Sequence, residues 1–339
     1  MCIVHENAKL MAEGLLDLLP SESTFHDYKD FVKMMAYSDT NKDCMFGSCN
    51  KCPGPEFLKQ SLETWLEEND EITYRQWLST DRCQIEKITK ATDDFIQSFS
   101  VSMFNLKKHA YIAKSQATFL KNLKSNLSDE ESIILLDFAE NYSYIVQDEV
   151  QSFHWNNSQC SLHPAVIYYR DCDKELCSKS FCIVSEDLLH DVAFVLEVQR
   201  YVIGWIKEHL KHIKTITYFS DGCAQQYKNY KNFINLSYHE TDFNISAKWA
   251  FFATSHGKSP CDGIGGTVKR LVKRACLQKR AVILNIVDFM HDCQHHIEGI
   301  AFMHLSSNTL QSTRTFLKKK DLNPETRYLV HGHTTYLCP

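Results

Sequence analysis

The sequence predicts an α/β protein: a mixed sheet flanked by helices, preceded by an α-helical region with a candidate zinc knuckle. Two observations predict the sheet. The stretch Thr215-Ile-Thr-Tyr-Phe-Ser-Asp-Gly222 alternates, is β-branched and aromatic, and stops at Ser220-Asp221-Gly222. Such a run reads as a buried strand with an acid at its carboxyl end. Ser132-Ile-Ile-Leu-Leu-Asp137 is a second apolar run ending on an acid. A third observation predicts the preceding helices: apolar residues recur at three-and-four spacing from Ile88 to Leu127.

Composition narrows the classes. A chain of 339 residues with 44% hydrophobic and 23% charged residues is globular, with room for one large domain or two ordinary ones. The net charge of -5 argues against nucleic-acid binding through bulk charge and leaves it to local basic patches. No apolar run reaches the roughly 18 residues a membrane helix needs, so no membrane partner is expected. The start lacks a basic segment followed by an apolar one, so no signal peptide is expected. Fourteen cysteines in an unsecreted chain read as thiols, some on zinc, in a reducing compartment.

Taken in order, residues 1–55 predict short helices, with Met11, Leu15, Leu16, Leu18 and Leu19 as core candidates, followed by a cysteine-rich knuckle. The pair Cys49-x2-Cys52, with Cys44 five residues upstream of Cys49, has a spacing that can chelate structural Zn²⁺. Gly47, Pro53 and Gly54 allow the turns it needs, and Cys83 or His26 could supply a fourth ligand. Unpaired loop cysteines are the plain alternative. Residues 56–128 predict a helical subdomain with Leu62, Trp65 and Leu66 on one face of its first helix, then Phe95, Phe99, Met103, Leu106, Ile112 and Phe119. Its lysines Lys107, Lys108, Lys114, Lys121 and Lys124 read first as a solvated face and second as a nucleic-acid surface.

Residues 129–281 predict the sheet domain, and 282–339 a helical or irregular extension. The strand from Ser132 runs through Glu140 to Tyr142, and Tyr142 to Gln147 alternates and could pair with it as a hairpin. His163 to Tyr169 is a third strand, and Phe181 to Val184 extends it or forms a fourth edge. Ser185 is a candidate N-cap for a helix reaching about Leu210. After the strand from Thr215, a helix is expected from Gln225 to His239, then a last strand from Ser246 to Thr254. A glycine-rich stretch then enters a helix with Val268, Leu271, Val272 and Ala275 apolar.

Three strands, then helix, strand, helix, strand and helix is the layout of the ribonuclease H-like fold. In that layout the first and fourth strands lie side by side, so Asp137 and Asp221 stand together at one end of the sheet, where Asp262 can reach them. Three acids converging on one point are costly unless cations occupy it. Carboxylate sites favour Mg²⁺ or Mn²⁺, and two ions about 3.5–4 Å apart suit phosphodiester chemistry. Asp137 is the expected bridging ligand, with Asp221 on one ion and Asp262 on the other. Glu140 and His256, close by in sequence, could orient water, hold a phosphate or support the ligands. Each acid alone has a plain reading: Asp137 or Asp221 as a turn or cap, Asp262 as an N-cap, Glu140 as a surface acid, His256 as a loop histidine. Gly257-Lys258-Ser259 lacks the upstream glycine that the phosphate-binding P-loop pattern G-x-x-x-x-G-K-[ST] requires, since Phe252 stands there. Lys258 with the backbone amides of the helix start could still contact a phosphate. Lys269, Arg270, Lys273 and Arg274 give one basic helix face, which serves solubility or, beside a nuclease centre, tracks a DNA backbone.

The segments Asp137-Phe-Ala-Glu-Asn-Tyr142, Trp155, Ser220-Asp-Gly222 with Gln226-Tyr-Lys-Asn229, Phe251 to Lys258, and Cys261-Asp-Gly-Ile-Gly-Gly-Thr-Val-Lys-Arg270 resemble a group of proteins repeated in many animal genomes. That group looks transposon-derived, with a DDE/D-type, ribonuclease H-like transposase domain. The likeness covers roughly residues 40 to 300 and is densest from 130 to 275. It implies the fold, nuclear location, DNA as substrate and partner, divalent metal, Asp137, Asp221 and Asp262 as catalytic positions, and homo-oligomers when active. The third acid is Asp where many transposases have Glu. The alternative is a catalytically inactive, domesticated transposase that binds DNA or protein. An exonuclease or ribonuclease H of the same fold would carry neither the cysteine knuckle nor the long helical prelude.

Overall fold

The computed structural model describes residues 2–19, 25–79, 81–145, 158–253, 257 and 259–321. The chain divides into two compact units, residues 1–118 and residues 119–252 with 257–338. Among the described residues, no helix is long and apolar enough to cross a membrane.

The first unit contains α1 (Ile3–Leu16), α2 (Tyr28–Met35), α3 (Lys42–Phe46), α4 (Gly54–Trp65), the strands β1 (Glu71–Ser79) and β2 (Cys83–Ala91), and most of α5 (Thr92–Ser125). A capping box starts α2: Lys29 N donates to Asp27 Oδ1 at 2.7 Å and Asp27 N donates to Asp30 Oδ2 at 3.3 Å. The core gathers Met11, Leu15, Phe31, Leu58, Leu62, Tyr74, Phe95, Phe99 and Met103. Gly14 lets α1 lie directly on β1, since a Cβ there would stand 2.8 Å from Tyr74 Cβ. Leu18, expected in the core, is exposed, whereas Leu19 is buried. The unbroken helical reading of residues 56–128 is corrected by the antiparallel β1–β2 hairpin. Its signal is period-two burial, with Ile72 and Tyr74 inside and Glu71, Thr73 and Arg75 outside.

The second unit is built on a sheet of β3 (Glu131–Leu136), β4 (Ala139–Ser143), β5 (Gln159–Arg170), β6 (Leu176–Ser185), β7 (Thr215–Ser220), β8 (Ser246–Phe251) and β9 (Ile300–His304). Its order is β8-β7-β3-β5-β6-β9, with β4 also on β5. The β3–β5, β4–β5 and β5–β6 pairs are antiparallel; β3–β7, β7–β8 and β6–β9 are parallel. Its helices are α6 (Val192–His209), α7 (Tyr230–Ser237), α8 (His239–Phe243), α9 (Pro260–Leu277), α10 (Ile286–His296) and α11 (Ser307–Asp321). One sheet face is covered by α9 and α10 through Cys261, Ile264, Val268, Val272 and Phe289. The other is covered by α6 through Phe194, Val198, Val202 and Ile206.

Several expected boundaries move. Residues 139–143 pair with β5, so the expected hairpin with the Ser132 strand does not form; Gln147 lies outside the described residues. Instead β3 and β4 follow one another along the same neighbour, with a break at Asp137 and Phe138. The cause is Pro164 in β5. Its carbonyl accepts from Asp137 N at 3.3 Å, but proline has no N–H to return, so the ladder lapses there. Ser185 ends β6 rather than capping a helix, and the cap of α6 is Asp191, whose Oδ1 accepts from Phe194 N at 3.1 Å. The helix expected from Gln225 begins at Tyr230, where Asn229 caps it. The sheet also gains β9 from within the expected helical or irregular extension.

Gly265 is the tightest point of the second unit: a Cβ there would meet Ala139 Cβ at 2.8 Å and Pro164 Cγ at 3.6 Å. Neither neighbour is a flexible side-chain tip that could swing aside. Gly265→Ala is therefore expected to destabilise the protein by about 1–3 kcal/mol through overpacking. Gly266, exposed and with nothing within 4 Å of its Cβ position, provides the control. Gly266→Ala should be neutral or gain up to about 1 kcal/mol from helix propensity, and chemical denaturation of both variants checks the contrast.

Candidate active site

Register brings the first two acids together. In the parallel β3–β7 ladder Leu135 stands beside Phe219. Two residues further along each strand are Asp137 and Asp221, on the sheet face that Leu135 and Phe219 share with α9. The third acid, Asp262, sits in the first turn of α9, which Gly265 allows to close onto Ala139 and Pro164. Gly257 also comes close, with its Cβ position 3.6 Å from Asp221 Cβ. The structure thus assembles Asp137, Asp221 and Asp262 at one end of the sheet.

Their electrostatics are those of crowded anions. The half-buried Asp137 carboxyl is pushed up to about 7, first by burial and then by the negative charges of Asp221 and Asp262. Burial raises Asp221 too, against the opposing bond that its Oδ1 accepts from Cys223 N at 3.1 Å. Asp262 is exposed and belongs to a capping box: its Oδ2 accepts from Ser259 N at 2.8 Å, while Ser259 Oγ accepts from Cys261 N at 3.2 Å. Asp262 is thus not the expected N-cap, which is Ser259, but the N3 partner of its capping box. The neighbouring Cys261 thiol, buried beneath the cleft, is pushed up to about 12, chiefly by burial.

The all-oxygen donor set suits a hard cation. The excess negative charge expressed in Asp137 is what such a cation would relieve. The three carboxylates are not drawn within 4.8 Å of one another, as a compact chelate of one ion would draw them.

Other side chains hold the acids in place, and sequence reasoning did not assign them this role. Phe138, next to Asp137, is clamped between rings: stacked on His190 at 4.1 Å, edge-on to His163 at 4.4 Å and edge-on to Phe194 at 5.0 Å. His190 is pinned by Asn141 Oδ1 at 2.8 Å and Ser161 Oγ at 3.1 Å. His163 shares a hydrogen bond of 3.0 Å with the hydroxyl of buried Tyr227, and burial pushes its imidazole down to about 3, so it stays neutral. Phe138 and Asn141 adjoin Asp137 in the sequence, but His163, His190, Phe194 and Tyr227 are distant from it there, and only the fold brings them to its side.

A cleft of about 280 Å³ is lined by Asp137, Phe138, Glu140, Cys261, Asp262 and Lys269. It shares Glu140, Gly266 and Lys269 with a larger groove of about 790 Å³ that Arg270, Lys273 and Arg274 also line. The four basic residues thus flank the acids along one face of α9. Glu140 has a 97% exposed side chain and stands 3.6 Å from Lys269 Nζ. His256 and Lys258 lie outside the described residues, as does Trp155.

In the first unit, Cys44, Cys49 and Cys52 bring their sulfurs within 4.8 Å of one another. Gly47 makes the turn between them with φ of 80° as the C-cap of α3, and Cys49 N donates to Asp43 O at 3.1 Å. A hydrogen bond with Cys52 leads in pushing the Cys44 thiol up to about 11, while the backbone N–H of Lys51 leads in lowering Cys49. Buried Lys107 donates to Cys44 O at 3.0 Å. Neither Cys83 nor His26 joins the cluster, which corrects the expected fourth ligands. Cys83 is exposed on β2, and His26 N bonds Asp30.

The family model for a domain of unknown function (DUF8701) matches residues 116–327, and the chain belongs to that family. A second domain of unknown function (DUF8700) matches residues 3–107. No curated protein and no solved structure matches the chain.

The raised carboxyl of Asp137 carries a pH signature. An acid whose folded pKa lies above its unfolded value binds protons more tightly when folded. Its contribution is thus present at low pH and lost as pH rises from about 4 to about 7. In metal-free buffer, Asp137→Asn should therefore raise the melting temperature at pH 8 and lose that advantage by pH 4. An equal effect at both values would contradict the assignment.

Proposed function

We propose that this protein is a transposase-like enzyme of ribonuclease H-like fold that hydrolyses and rejoins DNA phosphodiesters with divalent metal. The observation that carries the reading is the meeting of Asp137 and Asp221 on neighbouring parallel strands with Asp262 arriving on α9. The sheet order β6-β5-β3-β7-β8 inside the larger sheet supports the fold part of the proposal: a three-stranded antiparallel meander continued by two parallel strands.

In this reading Asp137, Asp221 and Asp262 would together hold Mg²⁺ or Mn²⁺, with Asp137 between the other two acids. When bound, the ions supply activation of the attacking oxygen and stabilisation of the leaving oxygen. The chain's own residues do the rest. The Phe138 clamp fixes the direction of Asp137, and the proline break sets where β3 stops. Lys269, Arg270, Lys273 and Arg274 hold the DNA backbone along the groove beside the cleft. Glu140, exposed at the junction of cleft and groove, is positioned to orient a water or to hold Lys269. The cysteine cluster takes a structural Zn²⁺. Nuclear location and assembly into homo-oligomers on DNA belong to the same proposal, as does descent from a transposon.

One observation favours the other reading, a catalytically retired copy kept for binding DNA or protein. Asp262 spends one carboxylate oxygen on the capping bond to Ser259 N.

Two measurements test the proposal. With Mn²⁺ and supercoiled plasmid, the wild-type protein is expected to nick DNA, and Asp137→Asn and Asp221→Asn are expected to fall to background. A folded wild type that binds DNA without cutting it would favour the retired copy. Replacing Lys269, Arg270, Lys273 and Arg274 with glutamine should weaken binding to all DNA sequences alike. It should also lower the slope of log affinity against log salt by about 0.9 for each phosphate that is no longer neutralised. An unchanged slope would remove α9 as the DNA-binding face.

A further inference from the structure

We propose a second metal site on the first unit, formed by Cys2, His5 and His109 and taking a borderline-soft divalent ion, Zn²⁺. It is separate from the cysteine cluster at Cys44, Cys49 and Cys52 and from the aspartate cleft, and it does not depend on the proposed enzymatic activity.

The site follows from how α1 starts. Cys2 is the residue before the first turn of α1, and His5 lies three positions on, so both side chains lie on one side of the helix start. His109 comes from α5. The Cys2 sulfur and His109 Nε2 are 3.2 Å apart, and the rings of His5 and His109 are 5.3 Å apart at 58°. All three ligand atoms lie within 4.8 Å of one another, an approach that the described residues repeat only in the cysteine cluster. Metal–ligand lengths of about 2.3 Å to sulfur and 2.0–2.1 Å to nitrogen imply ligand–ligand edges of about 3.3–3.6 Å in a tetrahedron. The Cys2–His109 edge of 3.2 Å is already close to that size, and the His5 ligand atom lies within 4.8 Å of both.

The donor set decides the ion. One thiolate with two imidazoles suits zinc, whereas Mg²⁺ and Ca²⁺ prefer oxygen. Cys2 is buried while His5 and His109 are partly exposed, so a fourth ligand such as a water would approach from the histidine side.

Helix α5 serves both clusters from different sides. Lys107 reaches Cys44 O, whereas His109, two positions on, reaches Cys2. Residues two apart on a helix do not share a face. Bound zinc at Cys2, His5 and His109 would clasp the start of α1 to α5, while the cysteine cluster clasps the α3 loop to the same helix. The plain alternative is a thiol–imidazole hydrogen bond with a histidine beside it, which needs no ion.

Metal counting on the full chain separates the two. Elemental analysis of wild-type protein grown with zinc is expected to find about two zinc ions per chain, one for each cluster. His109→Asn should lose one and Cys49→Ser with Cys52→Ser the other. To guard against variants that misfold, the chelated wild type is titrated with Co²⁺. Tetrahedral absorption with thiolate-to-cobalt charge transfer should grow until two equivalents are bound. In the Cys49→Ser, Cys52→Ser protein, one such cobalt site should persist and vanish when Cys2→Ser is added. A thiolate–cobalt signal that vanishes altogether in the Cys49→Ser, Cys52→Ser protein overturns the proposal. So does a zinc content that His109→Asn leaves unchanged in folded protein.

Discussion

The second unit depends on crowding three carboxylates at one end of a sheet. Like charges in a half-buried place repel and resist ionisation, and the raised carboxyl of Asp137 is the direct expression of that cost. The surrounding devices all act to keep the acids there regardless. Pro164 withholds a ladder bond and so stops β3 at Asp137. Gly265 removes the one Cβ that would hold α9 away from Ala139. The rings around Phe138 lock the residue that follows the central acid. A cation sharing that charge would relieve the repulsion, and this is the physical basis of the metal-centred proposal.

Much of this arrangement was legible in the sequence, for a physical reason. Strands β3 and β7 are largely buried, so they appear as continuous apolar or β-branched runs, and the acids that follow them, Asp137 and Asp221, stand out against that background. Legibility failed where partners distant in sequence decide the outcome. Tyr142 to Gln147 alternates as a hairpin arm would, but Tyr142 and Ser143 pair with Cys160 and Gln159 of β5 rather than with the Ser132 strand. Ser185 carries the chemistry of an N-cap, yet its strand continues through it, and the cap falls to Asp191. Gln225 to Lys228 have helix-compatible composition, but Tyr227 turns inward to His163 and the helix waits for Asn229. Cys2, His5 and His109 were invisible for the same reason: 104 positions separate the last two, and only the fold closes that gap.

The two units also correspond to two histories of sequence similarity. The family matches end at residue 107 and begin again at 116, while the structural division falls between 118 and 119. Thiol and imidazole clusters lie in the first unit and the carboxylates in the second.

The measurement that bears most directly on the central claim is Mn²⁺ binding to the purified protein by calorimetry and electron spin resonance, compared with Asp137→Asn and Asp221→Asn. Neither nuclease activity nor a DNA target is needed for it. The account predicts that the wild type binds Mn²⁺ and that each substitution abolishes binding while the circular dichroism of the fold is kept. Absent binding in the wild type, or binding that both substitutions leave intact, would contradict it.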